Sequence, residues 1–292
     1  MKDIIASEQI PVVKLKKIFR QAAKSKIVVN AHNVNNGKSF TVKDDEEETE
    51  SNKDFFYIND NIQERILAKV ISLSTGRIQN YGNYDFFENI QILTPTKKGI
   101  LGTKELNKQL QQALNPASEY KNERNYGEII YREGDRVMQI KNNYDIYWER
   151  RSGKEETGVG VFNGEIGKIV KINNAEKHVK IEFEDQKEVW YEFNELDQIE
   201  HAYSITIHKS QGSEFDVVIL VVPKAYQMLL TRNLLYTGLT RAKKLLVVIG
   251  GKDTIDYMVN NTDTKKRNTG LEYKMRNTGL EYKMRNSMLN LF

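Results

Sequence analysis

Two short runs, residues 217–222 (VVILVV) and 245–249 (LLVVI), are apolar at every position. A strand with one face in water alternates apolar and polar residues. These runs do not, so both are expected to be buried on two faces, as parallel strands in α/β sheets are. A polar, glycine-containing segment precedes each run. Thr206, His208, Lys209, Ser210, Gln211, Gly212 and Glu214 crowd into one connection, and Thr237, Thr240 and Arg241 line the other. Residues 233–243 read as a helix with Arg241 near its end. Loops at the ends of such strands carry ligands, and hydroxyl, amide, glycine and cation together suit a polyphosphate or a nucleic-acid backbone.

The chain of 292 residues is long enough to bury a substantial core, with two domains as the starting expectation. Its 44 basic and 40 acidic residues leave a formal charge of only +4, so net charge alone does not argue for nucleic acid. That average hides a partition. Residues 44–50 (DDEEETE) are nearly all acidic, and residues 265–285 are mostly basic where charged. No cysteine occurs, which excludes disulfides and cysteine-ligated zinc. The apolar runs are too short to span a bilayer, and Glu8 interrupts any signal-peptide core, so a cytoplasmic protein without a membrane partner is expected.

Along the chain, residues 11–30 carry Leu15, Ile18, Phe19 and Ala22 at helical spacing, which places Arg20 on a helix beside the apolar stripe. Taken alone, Arg20 reads as a solvated side chain. Residues 35–53 read as a surface loop, 55–58 as a strand, 62–73 as a helix with Ile62, Ile66, Val70 and Leu73 on one face, and 76–84 as a loop. A strand at 90–93 leads into Thr94, Pro95, Thr96, Lys97 and Lys98, whose hydroxyls and lysines suit successive phosphates or an ordinary Pro turn equally well. Residues 102–114 then read as a helix stacking Leu106, Leu110 and Leu114.

Between residues 127 and 199 the rhythm changes to short β-rich runs at 136–140, 158–162, 167–172, 178–183 and 188–193, the pattern of half-buried antiparallel strands in a small barrel. Asn142, Asn143, Tyr144, Tyr147 and Trp148 form an aromatic and amide cluster on its first loop. Base stacking is one use for such a cluster, and packing in a barrel core the commoner one. Near the end RNTGLEYKM occurs at 267–275 and again at 276–284, two copies being too few for a solenoid.

IHKSQGSEF at 207–215 resembles motif V of superfamily 1 helicases, and LLYTGLTRAK at 234–243 resembles their motif VI. With the segments at 10–22, 92–116, 134–145 and 161–170, the ordered series resembles the RecD-like DNA helicases, the exodeoxyribonuclease V alpha-subunit family. The resemblance implies an α/β fold: a second RecA-like motor domain (1–126 and 201–262), an inserted Src-homology-three-like barrel (127–200) and a basic tail (263–292). It implies that Arg241 is the arginine finger, that Arg20 contacts the terminal phosphate, and that Gln211, Gly212 and Glu214 face the nucleotide. Thr206 and His208 would face DNA, with Thr94, Thr96, Lys97, Lys98, Asn107, Asn142 and Tyr144 completing the track. A lone histidine such as His208 is otherwise a satisfied core residue.

No G-x-x-x-x-G-K-[ST] occurs, nor a strand ending in paired acids for magnesium. The resemblance places both ahead of residue 10. ATP and magnesium would then be bound mainly by a preceding RecA-like domain, and this chain alone is expected to hydrolyse ATP negligibly. The complete protein would translocate 5′ to 3′ on single-stranded DNA, in repair and recombination. A non-catalytic nucleic-acid-binding module with a helicase-derived fold, and the motor half of a conjugative relaxase-helicase, are the alternatives.

Overall fold

A computed structural model describes residues 2–13, 25–41, 53–150, 156–224, 227–262 and 270–278. The chain divides into two compact units, residues 24–262 and the two chain ends together. In the larger unit a five-stranded sheet runs, in spatial order, Phe55–Asn59, Ala242–Gly250, Phe215–Val222, Ile90–Thr94 and Ser204–Thr206, with every neighbouring pair parallel. The two apolar runs are therefore adjacent interior strands. Val218, Leu220, Val222, Leu246 and Val248 pack on one face, while Val217, Ile219, Val221, Leu245, Val247 and Ile249 pack on the other. The period-2 geometry of a strand sends successive side chains to opposite layers, so a run buried on both faces must be apolar throughout.

Each face is covered by helices whose apolar stripe meets it. Lys26–Asn35, Arg232–Leu239 and Lys252–Asn260 supply Val34, Leu235, Leu239 and Met258 to one layer; Gln63–Ser72 and Thr103–Leu114 supply Ile66, Val70, Leu106 and Leu110 to the other. The result is the α/β class expected from the sequence. Among the described residues no helix is long and apolar enough to cross a membrane.

Along the chain between Ile90–Thr94 and Ser204–Thr206 lies a second, antiparallel sheet. Its spatial order is Ile199–His201, Arg136–Gln139, Ile166–Asn173, His178–Phe183, Lys187–Glu192, Asn143–Arg150 and Thr157–Val161. Val179, Ile181 and Phe183 alternate into its core with Ile169, Val189 and Tyr191, as HVKIEF suggests. Five strands were expected, and among the described residues this sheet has seven. The segment expected to be a loop carrying Tyr144 and Trp148 is the strand Asn143–Arg150, which pairs with Thr157–Val161. Trp148 packs against the core, whereas Tyr144 and Tyr147 face solvent.

Asp135 and Arg136 join the two sheets. Asp135 is fully buried, and its carboxylate accepts hydrogen bonds from Gln111 Nε2 (2.7 Å), Asn115 Nδ2 (2.8 Å), Arg132 N (2.8 Å), Tyr203 Oη (2.8 Å) and His201 Nε2 (2.9 Å). Burial alone pushes this carboxyl upward. The bonds and charge of His201, with Asn115 and Tyr203, outweigh it and hold the group below the usual carboxylate range. Next to it, Arg136 reaches back to the carbonyls of Ile90 (2.7 Å) and Phe86 (3.2 Å), and burial lowers its pKa to about 10.

Several local expectations change. Residues 76–84 are largely helical rather than a loop: a π-turn at Leu73–Arg77 continues into Ile78–Gly82, which buries Ile78, and Asn83 ends it in the left-handed region. Ile62 caps Gln63–Ser72 and stays exposed instead of joining its stripe. Leu15, Ile18, Phe19 and Ala22, which carry the helix expected within 11–30, lie outside the described residues; a helix at Lys26–Asn35 begins at a Ser25 cap. Arg20 and the acidic run at 44–50 lie outside the described residues. In the smaller unit, residues 271–278 are helical and Arg276 Nη2 donates to the Ala6 carbonyl at 2.8 Å.

Candidate functional site

Thr94 ends one strand of the parallel sheet and pairs with Thr206, which ends its neighbour, so two polar loops leave the sheet side by side at the C-terminal strand ends. Thr94 itself is buried. Its Oγ1 donates to the Leu101 carbonyl at 2.8 Å, and its own carbonyl accepts from Ile207 N at 3.0 Å, which braces both loops. Between them lies an open groove of about 430 Å³ lined by Pro95, Thr96, Lys97, Thr206, His208, Lys209 and Leu229. This is where a parallel α/β sheet places its ligand.

The loop after Thr94 is a tight one. Thr96 Oγ1 donates to the Lys98 carbonyl (3.0 Å) and accepts from Lys98 N (3.2 Å). A Cβ on Gly102 would lie 2.5 Å from the Lys98 carbonyl oxygen, so only glycine lets the loop close on the helix that follows. Lys97 and Lys98 stay exposed at the rim, as does His208 across the groove. Lys97 Nζ is 3.5 Å from Glu200 Oε1. Lys209 Nζ donates to Asn163 Oδ1 at 2.7 Å, and its pKa is lowered by burial, opposed by the Glu200 charge and reinforced by Lys97.

Asn163 carries the groove onto the antiparallel sheet. Its backbone N–H donates to Asn142 Oδ1 (3.0 Å), and Asn142 Nδ2 donates to Tyr144 Oη (3.1 Å). The Tyr144 ring stands edge-on to Phe162 at 5.7 Å, with the two side chains 64% and 45% exposed. Exposed rings beside a lysine-rimmed groove are what stacked bases on a phosphate backbone require. The structure thus brings Thr96, Lys97, Thr206, His208, Asn142 and Tyr144 to one contiguous surface. Leu229, Phe162 and Asn163 join it without having been singled out, although Phe162 and Asn163 stand inside a segment that resembles the family. Asn107 does not face this surface: it is buried, Nδ2 donating to the His201 carbonyl (2.9 Å) and Oδ1 accepting from Ser204 N (2.7 Å), and it fastens the edge strand to the helix.

Residues 207–214 cross from this end of the sheet to the other. Ser204–Thr206 is level with the end of Ile90–Thr94, whereas Phe215 begins its strand at the opposite end. At roughly 3.3 Å per strand residue the crossover spans about 20 Å. Gln211 and Gly212 are exposed within it, Gly212 at φ +93, a conformation glycine alone adopts without strain. Glu214 is partly buried, 4.0 Å from Lys243 Nζ. Arg241 follows the helix Arg232–Leu239, shorter than the expected 233–243, and each nitrogen of its fork donates once: Nη1 to the Ser213 carbonyl (2.9 Å), Nε to the Thr237 carbonyl (3.1 Å) and Nη2 to Thr240 Oγ1 (3.2 Å). The first polar segment therefore reaches both ends of the sheet, Thr206 and His208 at the groove and Ser213 and Glu214 beside Arg241 and Lys243 at the other. Among the described residues no three His, Cys, Asp or Glu side chains gather in a way that could hold a metal ion, so no metal ligand is assigned here.

Comparison with known proteins finds two helicase domains in the chain. Residues 106–183 match the ATP-dependent RecD-like DNA helicase SH3 domain, and residues 201–249 match the UvrD-like helicase C-terminal domain. The ATP-dependent RecD2 DNA helicase of Deinococcus radiodurans is 31% identical over 238 residues, 81% of this chain and 28% of that protein. An uncharacterized protein of Methanocaldococcus jannaschii is 36% identical over 200 residues, 64% of this chain and 17% of that one. The RecBCD enzyme subunit RecD of Haemophilus influenzae is 29% identical over 187 residues, covering 63% and 25%. Among solved structures, a Bacteroides Pif1 helicase aligns at 16% identity over 93% of this chain and 57% of that one with a TM-score of 0.42, too low to carry an argument. The chain spans under a third of the length of the three relatives. It belongs to the RecD-like helicases of superfamily 1 and carries their C-terminal helicase domain with its SH3-like insert.

Proposed function

We propose that this chain is the second motor domain of an ATP-dependent DNA helicase that translocates 5′ to 3′ on single-stranded DNA, in the cytoplasm, in repair and recombination. The observation that carries the reading is the Thr94 and Thr206 pairing, which sets Thr96, Lys97, His208 and Lys209 around one groove at the strand ends. In this reading the groove grips the phosphate backbone, and Tyr144 with Phe162 offers faces for bases.

The nucleotide end is formed by Gln211, Gly212, Glu214 and Arg241. The donor set fits a phosphoryl group: Arg241 has a planar fork of permanently charged N–H donors, and the space beyond Gly212 is open. ATP with magnesium, held mainly by a partner RecA-like domain, would supply the phosphoryl group that is hydrolysed. Arg241 must then exchange the Ser213 carbonyl for phosphoryl oxygens. Because Ser213 belongs to the crossover that begins in the groove, that exchange would link nucleotide state to DNA grip. The chain without its partner domain is proposed to hydrolyse ATP negligibly.

Fluorescence anisotropy of a labelled oligo(dT) against salt tests the groove. Wild-type binding should weaken with salt, each phosphate contact adding about −0.7 to the log–log slope. Lys97→Ala should weaken binding and flatten the slope by about that amount. Binding insensitive to salt, or unaltered by Lys97→Ala, would place the DNA site elsewhere.

A further inference from the structure

The groove lysines do not face solvent alone. Glu200 lies on the edge strand Ile199–His201, immediately ahead of the strand that ends at Thr206. Its carboxylate, 42% exposed, is 3.5 Å from Lys97 Nζ, itself 53% exposed, and its charge also acts on Lys209. One carboxylate therefore serves two cations that line the same groove. The strand beneath it is firmly held: Ile199 accepts a 2.8 Å bond from the buried Tyr131 hydroxyl, His201 is anchored on Asp135, and Glu200 pairs with Met138 in the ladder.

Stability does not account for this arrangement, since half-exposed ion pairs contribute little to folding in high dielectric. Its consequence falls on anion binding. A phosphate approaching Lys97 meets a carboxylate already beside that cation, and must displace it against like-charge repulsion. We propose that Glu200 is a built-in competitor for the groove, a carboxylate that occupies the position of a nucleic-acid phosphate beside Lys97 and holds single-strand affinity down. This rests on the reading of the groove as the single-strand site. A translocating protein must release each phosphate it grips, and a fixed internal anion makes release fast without removing the cations that attract the strand.

The test is oligo(dT) binding by wild type, Glu200→Gln and, as a control for net charge, Glu176→Gln. Glu176 is an exposed acid in the turn at the far end of the eight-residue strand Ile166–Asn173. Glu200→Gln should bind about threefold to tenfold more tightly at low salt, with a slope steeper by up to about 0.7 and an unchanged melting temperature. Glu176→Gln should match wild type within about twofold. In a Lys97→Ala background the gain from Glu200→Gln should fall by at least half. If wild type binds and Glu200→Gln binds equally or more weakly, the carboxylate positions Lys97 instead of competing for it, and the proposal is overturned while the groove stands. An equal gain from Glu176→Gln, or a gain undiminished without Lys97, overturns it as well. Absence of binding by wild type at low salt overturns the groove and the competitor together.

Discussion

Arg241 donates from Nη1 to the backbone carbonyl of Ser213 at 2.9 Å, tying the end of the helix Arg232–Leu239 to the crossover that begins in the groove. Two further bonds, from Nε to the Thr237 carbonyl and from Nη2 to Thr240 Oγ1, engage the other two nitrogens of the fork. Lysine reaches one of these acceptors and not all three. Arg241→Lys should therefore lower folding stability by about 1 kcal/mol, the scale of a lost neutral-acceptor hydrogen bond. In a helicase that carries both RecA-like domains, the same change should lower ATP hydrolysis by roughly 10³, with nucleotide affinity changed by under about tenfold. Near-normal turnover with the stability loss intact would make Arg241 a strut and not a finger.

Asp135 gathers five donors from three separate segments onto one buried carboxylate. Asn in its place would present an N–H group to donors that need an acceptor, leaving buried groups unpaired. Asp135→Asn should cost about 3 kcal/mol or more, measured as a shift in urea midpoint. It should also loosen the antiparallel sheet relative to its anchor, seen as faster amide exchange in Arg136–Gln139. A midpoint within experimental error of wild type would show that the junction is held by apolar packing alone.

Acid should unfold the protein through two carboxylates. Asp60 is held well below the usual range by bonds from Arg65 and Lys69 and from Ile62 N, and Asp135 is lowered by its own partners. Both have folded pKa values below those of the unfolded chain, so their stabilisation is complete above about pH 4 and is lost as pH falls below it. The urea midpoint should be level from about pH 7 to 5 and drop steeply below about pH 4. Asp60→Asn should flatten that drop. A midpoint unchanged between pH 5 and 3 would contradict the assignment.

Continuous apolarity made 217–222 and 245–249 legible as interior parallel strands, and alternation in HVKIEF marked the antiparallel sheet. The strand Asn143–Arg150 was not legible because one face is solvated and its first residues, NYD after Asn142, are those of a turn. The helical path through Leu73–Gly82 was hidden by Gly76, Asn80 and Gly82, residues that propensity assigns to loops and that burial of Ile78 overrides. Site residues were named by motif, yet their grouping depends on the Thr94 and Thr206 register, a long-range pairing that no local pattern encodes. Asn107 shows the converse. Its amide looks available in sequence, and the fold uses both ends of it internally.

Where a DNA strand lies on this chain is read most directly by photocrosslinking a bromodeoxyuridine-substituted single strand and mapping the attached peptides by mass spectrometry. The groove formed by the paired strand ends predicts attachment within residues 95–98 and 206–209, with further attachment at Tyr144 or Phe162, and loss of all of it when salt is raised. Attachment confined to the helix Lys252–Asn260, or to the Arg241 end of the sheet, would contradict it.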